Sequence, residues 1–367
     1  MFGPINFKVK LMISPVCPPG DRFTKGVTPG HSLHSPNSIW ITTLGIAGLT
    51  QSVGCIKIPK MNIVLACDRH IFHGLLTTVA SLIWHEKHCP LKLHILDGGL
   101  TQAQWEMLSA TTTRLNPATI LIRHRFDQTQ VSHFSSQREL GLMTYARIFI
   151  PAIIKVPSAV YIDSDFLVTR PVSGLLPYFN SGHAVCGVAE SGVNLSKDFP
   201  DMKEPDIAGY DYFNGGLMLL NLERWRDEKI SETLMAFLQN ESSRCPFADQ
   251  SAINWVLRGK IGKIPEVWNT FSHYVDWGVN GASEQPGTVN LHFIGRTKPW
   301  KRPVPGLSHK LWWLFTRRFA GNKHLPRPLL NPRNVFRYVR RTIQEPPPFK
   351  KDLWNAWKLF WDDSKKI

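Results

Sequence analysis

Long apolar runs are missing from this chain. No stretch of about 18 or more apolar residues occurs in its 367 residues, so no bilayer-spanning helix is predicted. Cysteine is scarce and unpatterned. Cys17, Cys55, Cys67, Cys89, Cys186 and Cys245 include no C-x-x-C pair, and no histidine cluster stands beside them at zinc spacing. That argues against a disulfide framework and predicts a reducing compartment. Cys67 and Cys186 sit in apolar, strand-like runs, where a thiol behaves as a small hydrophobe. A secretory pattern is also missing, because the short apolar run after Lys10 soon meets Pro-Val-Cys-Pro-Pro-Gly. The expected location is the cytosol. Acidic residues are outnumbered, 28 against 43 Lys and Arg, for a formal charge of +15.

That charge is unevenly placed. Residues 1–60 hold six basic residues and one acid, and residues 301–367 hold sixteen and four. The body, 61–300, carries 21 basic and 23 acidic residues and is close to neutral. The ends, not the body, make the chain basic, and no nucleic-acid partner is predicted. Residues 1–60 are rich in Pro, Gly, Ser and Thr and keep no sustained period. Met61 stands directly before the first predicted strand, so 1–60 reads either as a disordered leader or as an extension upstream of the true start.

From 61 to 300, short apolar runs alternate with helical patterns. Strands are predicted at Ile63–Ala66, Leu91–Leu96, Ile120–Ile122, Ala159–Ile162, Ala184–Val188, Gly216–Leu220 and Val289–Phe293. Helices are predicted at 71–87, 101–115, 143–154, 222–239 and 249–258. The alternation implies an α/β domain with a mostly parallel sheet covered on both faces. Ligands of such sheets bind beyond the carboxyl ends of the strands. Asp68, Asp163, Asp165, Glu190 and His292 all fall at or near such ends.

The run Ala159-Val-Tyr-Ile-Asp-Ser-Asp-Phe-Leu-Val168 is the most informative. In extended chain, residues i and i+2 share a side, so Asp163 and Asp165 can face one ligand. Two carboxylates held together repel unless a cation lies between them. Asp-x-Asp alone fits a surface turn as well as a metal pair. In Val289-Asn-Leu-His-Phe-Ile-Gly-Arg-Thr-Lys-Pro-Trp300, His292, Gly295 and Lys298 follow a strand at spacings of three. A glycine lets backbone amides approach a phosphate, and a lysine adds a point charge. A nitrogen donor from His292 shifts the preferred ion from Mg²⁺ toward Mn²⁺. Together the two stretches predict a site for a metal and a diphosphate.

Residues 61–300 resemble glycosyltransferase family 8, which includes bacterial lipopolysaccharide galactosyl- and glucosyltransferases and glycogenin. The resemblance rests on ordered motifs: Met61–Asp68, Thr144-Tyr-Ala-Arg147, Tyr161-Ile-Asp-Ser-Asp165, Phe213-Asn-Gly-Gly216, Ala248-Asp-Gln250 and His292-Phe-Ile-Gly-Arg-Thr-Lys-Pro-Trp300. It implies a GT-A (Rossmann-like) fold, a UDP-hexose donor (UDP-galactose or UDP-glucose), Mn²⁺ and retention of anomeric configuration. It further implies that Asp163, Asp165 and His292 ligate the metal, that Asp68 contacts the uridine, and that Gly295 and Lys298 hold the diphosphate. Arg147, Asn214, Asp249 and Gln250 would orient the donor sugar. His70 stands where bacterial galactosyltransferases often carry Asn, and Glu190, beside the reacting centre or acceptor, stands where relatives carry Asp. Plainer readings remain: Arg147 as a helix-surface charge, Asn214 in a turn, Asp249-Gln250 as a helix cap, and Glu190 as a solvated strand end.

After Trp300 the segments Leu307–Phe319, Arg333–Ile343 and Phe349–Trp361 mix Trp, Phe and Leu with Lys and Arg. They read as basic amphipathic helices, so 301–367 is expected to dock on the anionic inner face of the cell membrane, near a saccharide or lipid-linked glycan acceptor. Two other function classes stand beside the transferase. A sugar nucleotidyltransferase shares the sheet, but Asp68-Arg-His-Ile-Phe-His lacks its Gly-rich loop. A non-catalytic, basic membrane-associated protein would not need the full metal and diphosphate set.

Overall fold

The computed structural model describes residues 38–44, 50–57, 61–86, 89–134, 141–201, 207–277, 289–302, 304–320 and 331–344. The chain divides into two units, Met1–Lys57 and Ile58–Ile367. In the first, β1 (Ser38–Leu44) and β2 (Thr50–Lys57) pair antiparallel. No regular structure was expected before Met61. The run Ser-Ile-Trp-Ile-Thr-Thr-Leu supplies the β-branched and aromatic side chains that favour extended backbone.

The second unit is built on a seven-stranded sheet. It starts with β3 (Met61–Cys67), helix α1 (Phe72–His85), β4 (Leu91–Asp97), α2 (Gln102–Leu115) and β5 (Ile120–Arg125). The three strands pair parallel in sequence order, with helices as crossovers. Thr101 and Gln104 start α2 with a capping box: the Gln104 N–H donates to Thr101 Oγ1 (3.2 Å) and the Thr101 N–H to Gln104 Oε1 (3.0 Å). The expected helix at 143–154 is instead a 3₁₀ stretch, Leu142–Phe149, closed by one α turn, α3 (Ile150–Ile153) with Pro151 inside it.

Next come β6 (Ser158–Ile162), β7 (Phe166–Leu167), β8 (Val185–Ala189), the short α4 (Leu195–Asp198) and β9 (Phe213–Asn221). The predicted helix 222–239 is two helices, α5 (Leu222–Asp227) and α6 (Ile230–Glu241). Lys229 breaks them with a φ of 51°. Then follow α7 (Asp249–Val256), β10 (Gly262–Lys263), β11 (Thr270–Phe271), α8 (Ser272–Trp277), β12 (Leu291–His292), α9 (Leu307–Ala320) and α10 (Pro332–Gln344).

The main sheet has the order β10-β8-β9-β6-β3-β4-β5. All neighbours are parallel except those of β9, which runs antiparallel to both β6 and β8. The mostly parallel sheet is as predicted. The last predicted strand is not part of it, because β12 joins β11 and β7 in a separate three-stranded sheet. Both main faces are covered. Along β3, Ile63, Leu65 and Cys67 pack into one core with Leu75, Val79 and Leu82 of α1, while Val64 and Ala66 pack into the other with Tyr145, Ile148 and Ile150.

Helix α9 corrects one expectation about the tail. Its Leu311, Trp312, Phe315 and Phe319 are buried in a third core with Val289, Leu291, Phe293 and Trp300. Thr316 and Thr77 of α1 share a hydroxyl hydrogen bond of 2.8 Å, and the Trp84 and Phe319 rings lie 5.1 Å apart. The amphipathic pattern is real, but its apolar face meets α1 rather than a membrane. Helix α10 differs: Val335, Phe336 and Val339 are exposed. The predicted helix Phe349–Trp361 lies outside the described residues.

Candidate active site

The carboxyl end of β6 is the centre of the site. Beyond Ile162 the chain turns through Asp163-Ser-Asp165 into β7. The Asp163 N–H donates to Gly216 O of β9 (2.8 Å), and Ser164 Oγ donates to Ala66 O at the end of β3 (2.8 Å). These ties hold both aspartates at the sheet edge. The Phe293 N–H donates to Asp165 O (2.9 Å), which brings in the strand carrying His292. His292 Nε2 lies 3.2 Å from Asp165 Oδ1 and 3.8 Å from Asp163 Oδ2. One ligand atom from each of Asp163, Asp165 and His292 falls within 4.8 Å of the others. Residues 129 positions apart in sequence therefore meet.

The environment is built for charge. His292 is buried, stacked on Phe166 at 4.3 Å between ring centroids. Its Nδ1 is 2.9 Å from Asn269 Oδ1. Tyr161, fully buried, donates its hydroxyl to Asp163 Oδ1 at 2.6 Å. Burial works to raise the Asp165 carboxyl, but Lys298 and His292 overcome it and hold the group well below the usual carboxylate range. Lys298 Nζ donates to Asp165 Oδ2 and to Phe293 O. Asp165 Oδ1 is buried and has no hydrogen-bond partner. A buried anionic oxygen facing an imidazole nitrogen, with a second carboxylate beside it, suits a hard divalent cation with one nitrogen ligand. The donor set fits the metal that the motifs implied. Gly295 takes a φ of 71° in the loop after His292, with open space at its α-carbon.

A second group lies along β9 and α7. Asn214 Nδ2 donates to Glu190 Oε2 (3.0 Å) and Gln250 Oε1 (3.4 Å), and Gln250 Nε2 reaches the same Glu190 oxygen at 3.4 Å. The Gly215 N–H donates to Gln250 Oε1 at 2.9 Å. Burial raises the Glu190 carboxyl, against the pull of the Asn214 hydrogen bond and the His292 charge. Glu190 is thus tied into the site rather than left as a solvated strand end.

Arg147 and Asp249 meet each other. Arg147 Nε is 2.6 Å from Asp249 Oδ2, and Nη2 donates to Asp249 Oδ1 (2.8 Å). Thr144 Oγ1 donates to the same oxygen at 2.5 Å. Both side chains are buried, so Arg147 is no surface charge. Asp249 is no helix cap either, since Ala248 holds that position with a φ of 53°. Burial raises the Asp249 carboxyl against the pull of Arg147 and Thr144.

Asp68 and His70 stand at the end of β3, next to β6. Asp68 Oδ1 accepts from the His70 N–H (2.7 Å) and the Ile71 N–H (3.3 Å), shaping the turn into α1. His70 is exposed, with Nε2 3.3 Å from Arg69 Nε. Sequence reasoning missed Asn269. It follows Trp268 in a loop, and its partners lie 23 and 55 residues away, so no local pattern marks it.

Comparison with known proteins gives the chain its family. A family model, Glycosyl transferase family 8, matches residues 62–303. Glycosyltransferase GlyE of Streptococcus pneumoniae serotype 4 (strain TIGR4) is 24% identical over 265 residues, covering 70% of this chain and 61% of the relative. Lipopolysaccharide 1,2-glucosyltransferase of Escherichia coli K12 is 21% identical over 251 residues, covering 66% and 73%. The chain spans 61%, 33% and 30% of the first three curated relatives. Among solved structures, the galactosyltransferase LgtC in complex with donor and acceptor sugar analogs superposes with a TM-score of 0.60 at 19% identity, over 71% of this chain and 96% of that one. Apo GlyE superposes with a TM-score of 0.54 at 20% identity, over 79% and 65%. The fold is the GT-A fold that the motifs implied. With the family model spanning more than half of its length, the chain belongs to glycosyl transferase family 8.

Proposed function

We propose that the chain is a retaining hexosyltransferase that moves galactose or glucose from a UDP-sugar to a hydroxyl of a cell-surface glycan such as a lipopolysaccharide core. One observation carries this reading: the Asp163–Asp165–His292 cluster, with Asp165 and His292 buried and one carboxylate oxygen orphaned, followed in sequence by Gly295 and Lys298. The glucosyltransferase and galactosyltransferase among its relatives support the hexose and the acceptor class.

Asp163, Asp165 and His292 would hold Mn²⁺, or Mg²⁺ in its place. Such an ion, when bound, neutralises charge that develops on the departing diphosphate. Lys298 adds a second positive charge on the same side, and the Gly295 turn leaves backbone amides open to phosphate. Asp68 and His70 form the edge assigned to the uridine. Gln250 Oε1 already accepts the Gly215 N–H, and a carboxamide oxygen so held is a weak nucleophile. Attack by the acceptor hydroxyl on the face from which UDP leaves follows from that, with Glu190 assigned to the acceptor.

Helix α10 supports a membrane-bound place for the chain. Exposed Val335, Phe336 and Val339 flanked by exposed Arg333 and Arg340 suit an anionic lipid surface, so the enzyme works peripherally on the cytoplasmic face of the membrane. Incubation with UDP-galactose or UDP-glucose and Mn²⁺ is expected to release UDP, and Asp163→Ala and Asp165→Ala to abolish the release. Release unchanged by both substitutions rejects the metal assignment, and no release from either donor rejects the donor class. Phe336→Asp is expected to lower binding to phosphatidylglycerol vesicles several-fold. Equal binding removes α10 from the membrane.

A further inference from the structure

A chain of four hydrogen-bonding groups runs from the backbone of β9 to His292, and its polarity can be read from one end. The Gly216 N–H can only donate, and it points at an Asn214 side-chain atom 2.9 Å away. That atom is therefore the Asn214 oxygen. The Asn269 carboxamide approaches the same oxygen at 2.9 Å, so the Asn269 group there is its NH₂. The other end of Asn269 is then its oxygen, 2.9 Å from His292 Nδ1. An amide oxygen only accepts, so Nδ1 carries the hydrogen. In a neutral imidazole this leaves the lone pair on Nε2. Nε2 faces Asp165 Oδ1 at 3.2 Å, the buried oxygen with no donor. Two acceptors so placed are stabilised by a cation between them.

We propose that Asn269 is the positioning residue of this metal site. Pinned through Asn214 by the Gly216 amide, its carboxamide fixes His292 as the Nδ1–H tautomer and presents Nε2 to the cation. The inference rests on the metal reading of the Asp163–Asp165–His292 cluster and deepens it in two respects. It names the residue that decides which nitrogen is offered, a role usually filled by a carboxylate or backbone carbonyl behind a metal-bound histidine. It also couples two subsites. Asn214 Oδ1 receives Asn269, while Asn214 Nδ2 holds Glu190 and Gln250. The histidine's support and the residues assigned to the sugar and acceptor thus share one side chain, Asn214.

The scaffold fits this role. Asn269 is buried, and its backbone N–H is held by Glu266 O at 2.9 Å. It immediately precedes β11, and Phe271 of β11 is in register with His292 of β12. The ring itself has no room to turn: Phe166 stacks on it, and a Cβ at position 216 would stand 2.2 Å from His292 Cε1.

Two measurements on the full chain test the proposal. In metal-free wild-type protein with ¹⁵N-labelled histidine at pH 7.5, long-range ¹H–¹⁵N spectra are expected to show a proton held on His292 Nδ1. The signal is identified by its loss in His292→Gln. A ring protonated at Nε2 alone, with Nδ1 bare, overturns the assignment, and no altered fold can confuse that result. In Mn²⁺ titrations with UDP followed by electron paramagnetic resonance, Asn269→Ala is expected to weaken Mn²⁺ binding about 10–100-fold. Asn269→Asp, which keeps an acceptor for Nδ1–H, is expected to stay within about threefold of wild type. Wild-type affinity in a folded Asn269→Ala protein overturns the positioning role. Failure of the wild type itself to bind Mn²⁺ with UDP counts against the metal reading, while the histidine spectrum still decides the tautomer.

Discussion

Two consecutive glycines of β9 open onto two clusters of buried charge that are completed to different degrees. At Gly215 a Cβ would stand 2.2 Å from Arg147 Nη1, and at Gly216 the same distance from His292 Cε1. Behind Gly215, Arg147 and Asp249 cancel each other, and Thr144 supplies a further hydrogen bond. Burial opposes the Arg147 charge, but Asp249 and Asp163 outweigh it and hold the guanidinium above its ordinary value. Behind Gly216, two carboxylates face one ammonium and one imidazole, and Asp165 Oδ1 is left without a donor. In that first cluster cation and anion balance: Asp249 Oδ2 too lacks a hydrogen-bond partner, but Arg147 Nε stands 2.6 Å from it. The incomplete one has an unmet need for positive charge, which is what a ligand site requires.

Breaking either cluster should reveal that difference. Asp163→Asn keeps an oxygen for Tyr161 and removes one ligand charge. UDP release in the presence of Mn²⁺ should fall by about 10³-fold, with little change in the melting temperature. An equally large loss of stability would mean that the metal cluster is structural too. Asp249→Asn should do the reverse first: a buried guanidinium left without its anion costs about 3 kcal/mol, read by thermal or denaturant unfolding. Replacing both partners, Arg147→Met with Asp249→Leu, should recover most of that stability without restoring activity. A double variant as unstable as the single one would contradict the pairing.

The glycines give a finer comparison. Gly215→Ala should lower stability by about 1–3 kcal/mol through overpacking against Arg147. Gly216→Ala should instead weaken Mn²⁺ binding, because the ring it displaces belongs to the proposed ligand set. The smallest effect concerns a third buried carboxylate, Asp276, which has Ser308 N–H (2.8 Å) and Ser308 Oγ (2.6 Å) as donors at the start of α9. Burial pushes its carboxyl up to about 6, against the pull of those donors. A folded value above the unfolded one means stability that is full below about pH 4 and is lost as pH rises through 6. Asp276→Asn should flatten the melting temperature across that window, by a few degrees at most. An unchanged pH profile would show that another group governs it.

Much of the site was legible because its two halves are each local. Asp163 and Asp165 end an apolar run, and His292, Gly295 and Lys298 follow another, so periodicity alone places both at strand ends. The partner of each charge was not legible. Arg147 and Asp249 lie 102 residues apart, and nothing near either one says that it is buried. Strand β9 reads like any other apolar run, and its antiparallel direction depends on how the chain returns between β6 and β8. The break at Lys229 is a single backbone angle inside a continuous helical pattern.

The tail makes the same point. Leu307–Ala320 and Pro332–Gln344 are both basic and amphipathic in sequence, yet α9 buries Trp312 and Phe315 while α10 exposes Phe336. Amphipathic spacing determines that a helix has an apolar face; which surface receives it depends on what the fold leaves uncovered nearby.

By itself, then, the order of apolar runs and acidic strand ends determined an α/β sheet with an edge whose side chains suit a metal and a diphosphate, because periodicity and side-chain chemistry act over a few residues. Only the tertiary structure decided which charges cancel, which oxygen stays bare and which nitrogen His292 presents. Those outcomes depend on atoms brought within about 3 Å across gaps of 23 to 133 residues.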